Sequence, residues 1–159
     1  MNTRPAAQSD ATRRMSVQDA LKLAAAHQGA GRLQQAETIL RQVLKQRPNQ
    51  PEALHLLAIV AHQAGKTNIG IELIARALTI NPNIPVLHAN IAEMYRRVGD
   101  PRAAIKHGER AIALNPKGAD AHNNLGIGHY DIGDYAGAVA CYDKAIAIRP
   151  RFGDQPLLS

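Results

Sequence analysis

Four prolines stand at positions 48, 82, 116 and 150, each 34 residues after the one before. Gly31, Gly65, Gly99 and Gly133 keep the same interval, as do the small residues Ala36, Gly70, Ala104 and Ala138. A second small row runs Ala24, Ala58, Ala92 and Gly126, and a large apolar row runs Leu23, Leu57, Ile91 and Leu125. Five rows in one register divide the chain into units at 17–50, 51–84, 85–118 and 119–152. Equal units that each bury one face against the next fold as a stack, not around a single centre.

Each unit reads as helix, turn, helix, turn. In the third, Pro85 suits a first helical position, where its missing N–H costs nothing. Leu87, Ile91 and Val98 mark the inner face of that helix, and Gly99 sits where a left-handed C-terminal cap is wanted. Asp100-Pro101 offers an N-cap and first-turn proline to the next helix, which Asn115-Pro116 ends. Gly133-Asp134 repeats this stop and start, and Ser16 with Asp19 gives a weaker signal before the first helix. Two antiparallel helices approach closely only where side chains are short, so the small rows predict the crossing points Ala24/Ala36, Ala58/Gly70, Ala92/Ala104 and Gly126/Ala138. Gly70 interrupts the alanine habit of its row, and helix propensity alone predicts that alanine there stabilises the fold.

Composition agrees with helices packed at short range. The 159 residues hold one Phe, four Tyr and no Trp, too few aromatics for an ordinary sandwich or barrel. One cysteine, Cys141, excludes an internal disulfide framework and a Cys-based zinc site. Seven histidines do not make a metal site either. His55 and His62, like His122 and His129, lie seven apart, without the i, i+4 spacing or a partner at ligand distance, and packing explains them more simply. No nucleophile–base constellation stands out, so the chain reads as non-catalytic, with no cofactor. With no apolar run near membrane-span length and no apolar stretch in its first fifteen residues, it reads as soluble and cytoplasmic. The net charge of +6 is uneven: eight basic residues stand against three acidic ones over 1–50, and three against five over 119–159. Residues 1–15 form a basic tail expected to stay disordered, and 153–159 are too short for a capping helix.

The fourth unit carries Asn124-Leu125-Gly126, Tyr130, Gly133-Asp134-Tyr135, Ala138, Tyr142, Lys144-Ala145 and Pro150. This pattern strongly resembles the tetratricopeptide repeat. The resemblance covers 17–152 and implies an all-α, right-handed α-solenoid of four helix-turn-helix units over 16–152. The repeat's leading aromatic is replaced by Ala20, Leu54, His88 and His122, and the large residue of the second helix is Gly108 in unit three, which leaves a hole unless a neighbour fills it. The wording of units two and four is similar to bacterial arrays that precede O-GlcNAc-transferase-like or sulfotransferase domains. A regulatory or substrate-presenting role in such an enzyme is therefore one alternative. Self-assembly through the uncapped last pair is another.

The resemblance further implies a concave groove lined by the first helices, where a peptide or protein partner binds. On that analogy the contacts are Leu56 and Ile59 in unit two, and Asn90, Glu93, Arg96 and Arg97 in unit three. Unit four adds Asn123, Asn124, Ile127 and Tyr130. Asn90 and Asn124 occupy equivalent positions, and a carboxamide that both donates and accepts matches a peptide unit of any sequence. Arg96 and Arg97 would match an acidic group. The clamp by which some chaperone-binding relatives hold a C-terminal carboxylate would need Lys or Asn where this chain has Leu21, Ala25, Leu56, Val86 and Asn90; four of those five positions fail. A single-stranded RNA ligand is also disfavoured. The pI of 9.8 permits it, but the groove mixes Glu52, Glu93, Asp120 and Asp131 with its bases, and only Tyr130 could stack a base there. The sequence thus predicts a non-enzymatic interaction scaffold, with no nucleic-acid or membrane partner.

Overall fold

A computed structural model describes residues 15–149. They form eight helices: α1 (Val17–Gly29), α2 (Leu33–Gln46), α3 (Pro51–Gln63), α4 (Thr67–Ile80), α5 (Pro85–Arg97), α6 (Pro101–Leu114), α7 (Ala119–Asp131) and α8 (Tyr135–Ile148). No strand occurs among the described residues. The expected basic tail and the short C-terminal segment lie outside them, apart from Met15.

The four glycines of the 34-residue row end the first helix of each pair at φ between 75° and 83°, where an L side chain is strained. Each turn closes the same way. Gly99 N–H donates to the Arg96 carbonyl and Asp100 N–H to the Tyr95 carbonyl, and the other three turns repeat the pattern. Asp100 and Asp134 then cap the following helices by accepting from the backbone N–H groups of Ala103 and Gly137. In units one and two the equivalent residues, Arg32 and Lys66, make no side-chain cap bond.

Packing follows the small rows. Apart from Gly70 and Gly126 their residues are all alanine, and every one of them is buried. A Cβ on Gly70 would stand 2.9 Å from the Ala58 carbonyl oxygen, and one on Gly126 would stand 3.2 Å from the Ala138 oxygen, so these pairs meet where predicted. The Gly70 geometry also overturns the expectation that alanine there stabilises. The added methyl would press on backbone at 2.9 Å and on Met94 Sδ at 3.0 Å, which outweighs the propensity gain. Val98 is a further correction. It is exposed at the C-cap of α5, not part of the inner face.

Between pairs, the first helix of one unit enters the cleft of the unit before: α3 lies on α2, α5 on α4 and α7 on α6. Leu54, Ile74, Leu87 and Ile91 form the fully enclosed centre of the joint between units two and three. The neighbour that fills the Gly108 hole is Leu125, whose Cδ1 would lie 3.3 Å from a Cβ on Gly108. Where the repeat's leading aromatic is missing, His88 and His122 are buried. Each imidazole Nε2 reaches back to a proline carbonyl of the previous unit, Pro82 at 2.7 Å and Pro116 at 2.9 Å. A carbonyl only accepts, so Nε2 carries the proton and donates, while His88 Nδ1 lies 3.1 Å from His107 Nδ1. Tyr95 stacks on His107, with ring centroids 5.6 Å apart.

Candidate binding groove

First helices of neighbouring pairs touch one another, α1 with α3 and α5 with α7, whereas second helices make no comparable contact. The rod therefore curves with its first helices inside. A trough of about 800 Å³ lies where α5 faces α7. Val86 and Ala89 are among its apolar lining residues, and Asn90, Asn115, Asn123 and Asn124 supply four carboxamides. Charges of both signs complete the lining: Glu93 and Asp120 stand with Lys117 and Arg149. Arg149 reaches Asp120 at 3.3 Å, an exposed pair, and Arg97 lies 3.7 Å from Glu93.

Of the residues expected in the groove, Asn90, Glu93, Asp120, Asn123 and Asn124 come together in this trough, whereas Leu56, Ile59, Arg96, Arg97, Ile127 and Tyr130 do not line it. Leu56 packs on the core of units one and two. Ile59 and Arg96 are half-buried, Arg97 is exposed, and Arg96 Nε is enclosed without a hydrogen-bond partner. Ile127 lines an adjoining cleft between α7 and α8, which shares Ala119, Asp120, Asn123 and Arg149 with the trough, and exposed Tyr130 meets Tyr135 edge-on with centroids 5.3 Å apart. Leu21, read as a groove position, is buried in the core. Sequence reasoning missed Asn115, Lys117 and Arg149, which come from the loop between units and from the far end of α8. The readable signal was position 31 of each unit, occupied by Arg47, Asn81, Asn115 and Arg149.

Polar side chains also tie one first helix to the next. Asn90 Nδ2 donates to His55 Nε2 at 2.7 Å, and Gln28 Nε2 donates to Gln63 Oε1 at 3.0 Å. Asn90 is thereby held by the preceding unit, with its carbonyl and second N–H left to the trough. Burial pushes the His55 pKa below its ordinary value. The same cause, with the nearby His88 and Lys106 charges, lowers that of His107. Below about pH 6.5 the unfolded chain therefore binds more protons at these sites, and stability falls with pH until the lowered folded values are passed. The melting temperature is expected to fall between pH 7 and pH 5, and to fall less in His107→Gln. Equal slopes for the two proteins would remove His107 from this account.

Tetratricopeptide-repeat models match residues 27–94 and 90–151, which together run through all four units. The chain belongs to the tetratricopeptide-repeat family. Among solved structures, this repeat array superposes on MamA with a TM-score of 0.79 at 20% identity, covering 89% of this chain and 83% of that one. MamA from Desulfovibrio magneticus RS-1, residues 41 to the end, gives 0.78 at 18% identity, covering 87% and 78%. TTC0263, a thermophilic tetratricopeptide-repeat protein of Thermus thermophilus, gives 0.73 at 25% identity, covering 83% and 74%. No curated protein matches by sequence. No helix among the described residues is long and apolar enough to cross a membrane, and no three metal-ligating side chains gather there.

Proposed function

We propose that the chain is a non-catalytic scaffold whose α5–α7 trough holds an extended segment of a partner protein. The observation that carries this reading is the convergence of Asn90, Asn123 and Asn124 on one open channel whose lining also holds Val86 and Ala89. Carboxamides there can bond a peptide backbone without reading its side chains, while Val86 and Ala89 receive apolar groups. The balanced charges of Glu93, Asp120, Lys117 and Arg149 suit a peptide better than a phosphate backbone, which rewards basic residues alone. A substrate segment presented to a glycosyltransferase-like domain would use the same trough, so both readings share one test.

Peptides selected from a random extended library on the 159-residue chain serve as the probe. Each lost backbone bond costs roughly 0.5–1.5 kcal/mol, so Asn90→Ala/Asn124→Ala is expected to bind them about tenfold more weakly with an unchanged helical circular dichroism signal. Equal affinity for every selected peptide would move the binding site elsewhere.

A further inference from the structure

Three joints inside this chain use one set of positions. The entering helix offers its third, seventh and tenth unit residues: Leu87, Ile91 and Met94 in unit three, with counterparts in units two and four, all buried. They meet the second helix of the unit before. A Cβ on Gly108 would touch Leu125, and one on Gly128 would lie 3.0 Å from Ile105 Cγ1. In unit one the same three positions are Asp19, Leu23 and Ala26, and all are exposed. Leu23 is 39% exposed, whereas Leu57, Ile91 and Leu125 in its row are 4%, 1% and 8%.

The last unit shows the converse. Positions that receive a neighbour in unit three, Ile105, Gly108 and Ile112, are buried or half-buried. Their counterparts in unit four are Val139, Tyr142 and Ile146, of which Val139 is 57% and Ile146 51% exposed. A cleft of about 540 Å³ runs over this end, lined by Ile127, Tyr142, Ala145 and Ile146 among others. The described residues thus carry both halves of a joint the chain already makes three times.

We infer that a second copy of this chain is the occupant: α1 of one molecule enters the cleft between α7 and α8 of the next, head to tail. The seventh-position Leu23 then covers Tyr142, as Leu125 covers Gly108, and Ala26 meets Val139. Charge favours the same pairing. Residues 17–50 hold five basic side chains against two acidic, and 119–149 hold four acidic against two basic. The contact is heterologous, so it does not close at a dimer but adds molecules along the superhelix. The end cleft and the α5–α7 trough share Ala119, Asp120, Asn123 and Arg149, but neither Leu23 nor Ile146 lines the trough, so these two variants test the joint without altering the groove residues.

Sedimentation velocity on the 159-residue chain tests it. Wild type is expected to show a mean mass that rises past the dimer with concentration. Leu23→Glu and Ile146→Glu, both at exposed sites, are each expected to lose every species above monomer while keeping their helical signal. Mixed in equal amounts, they are expected to give a dimer and nothing larger, because one intact head and one intact tail remain. Wild type that stays monomeric at its solubility limit would overturn the inference. So would Leu23→Glu assembling like wild type, which means pairing through the α7–α8 ends alone, or a mixture that stays monomeric. If only a chain cut after Arg149 assembles, residues 150–159 occupy the cleft, and the inference fails on that result too.

Discussion

Ile74→Ala is expected to lower the melting temperature by on the order of 10 °C, the result of losing about 2–5 kcal/mol. Ile74 is fully enclosed between units two and three, touching a cluster that includes Leu54, Leu87, Ile91 and Met94. Truncation removes three carbons from the one cluster that spans this joint, and helices on both sides are fixed by their own pair contacts, so the hole cannot collapse fully. In a stacked array each unit is held mainly by its neighbours. Weakening the middle joint is therefore also expected to broaden the transition, with 15–80 and 85–149 melting less in concert. A sharp transition at the wild-type temperature would show that the joint between α4 and α5 carries little of the stability.

Ala58→Leu is expected to cost roughly 1–3 kcal/mol by the opposite route, overpacking. Ala58 is fully buried at the crossing of α3 and α4, and its carbonyl oxygen already lies 2.9 Å from where a Cβ on Gly70 would stand. Three extra carbons have no space unless the two helices separate, and separation opens the same cluster that holds Ile74. Thermal melts monitored by circular dichroism check both variants. An Ala58→Leu melt that matches wild type would mean that α3 and α4 do not cross at this pair.

The crossing points were legible in the sequence because they repeat: four small residues at one interval have few explanations besides close helix approach. The caps were legible for a local reason. Gly99 followed by Asp100-Pro101 fixes a turn and a helix start within a few residues, whatever surrounds them. Gly70 was misread because helix propensity concerns one helix alone, while the space at that site is set by Ala58 and by Met94, which belongs to the next unit. Leu23 shares its row with three buried residues and could not be told from them by pattern, since its exposure depends on having no preceding unit among the described residues.

The groove was legible in part. Repeat position placed Asn90, Glu93, Asn123 and Asn124 on one curved side. Arg149 joins Asp120 across 29 residues, by way of a helix that turns back, and no short-range pattern announces that. Asn90 also proved to be tied to His55 of the unit before. Its neighbour there is set by how far one first helix is displaced along the next, a quantity that the stacking decides and the residue order does not print.

The two kinds of proline carbonyl contact give the rod an uneven response to tension. At the second and third joints, the carbonyls of Pro82 and Pro116 are gripped by the buried rings of His88 and His122. At the first, Leu54 offers no donor, and the Pro48 carbonyl is held by the exposed, many-jointed side chain of Arg76. Pulled from its ends, the molecule should therefore yield first between units one and two, stretching there like a softer spring while the remaining three pairs still move as one stiff piece.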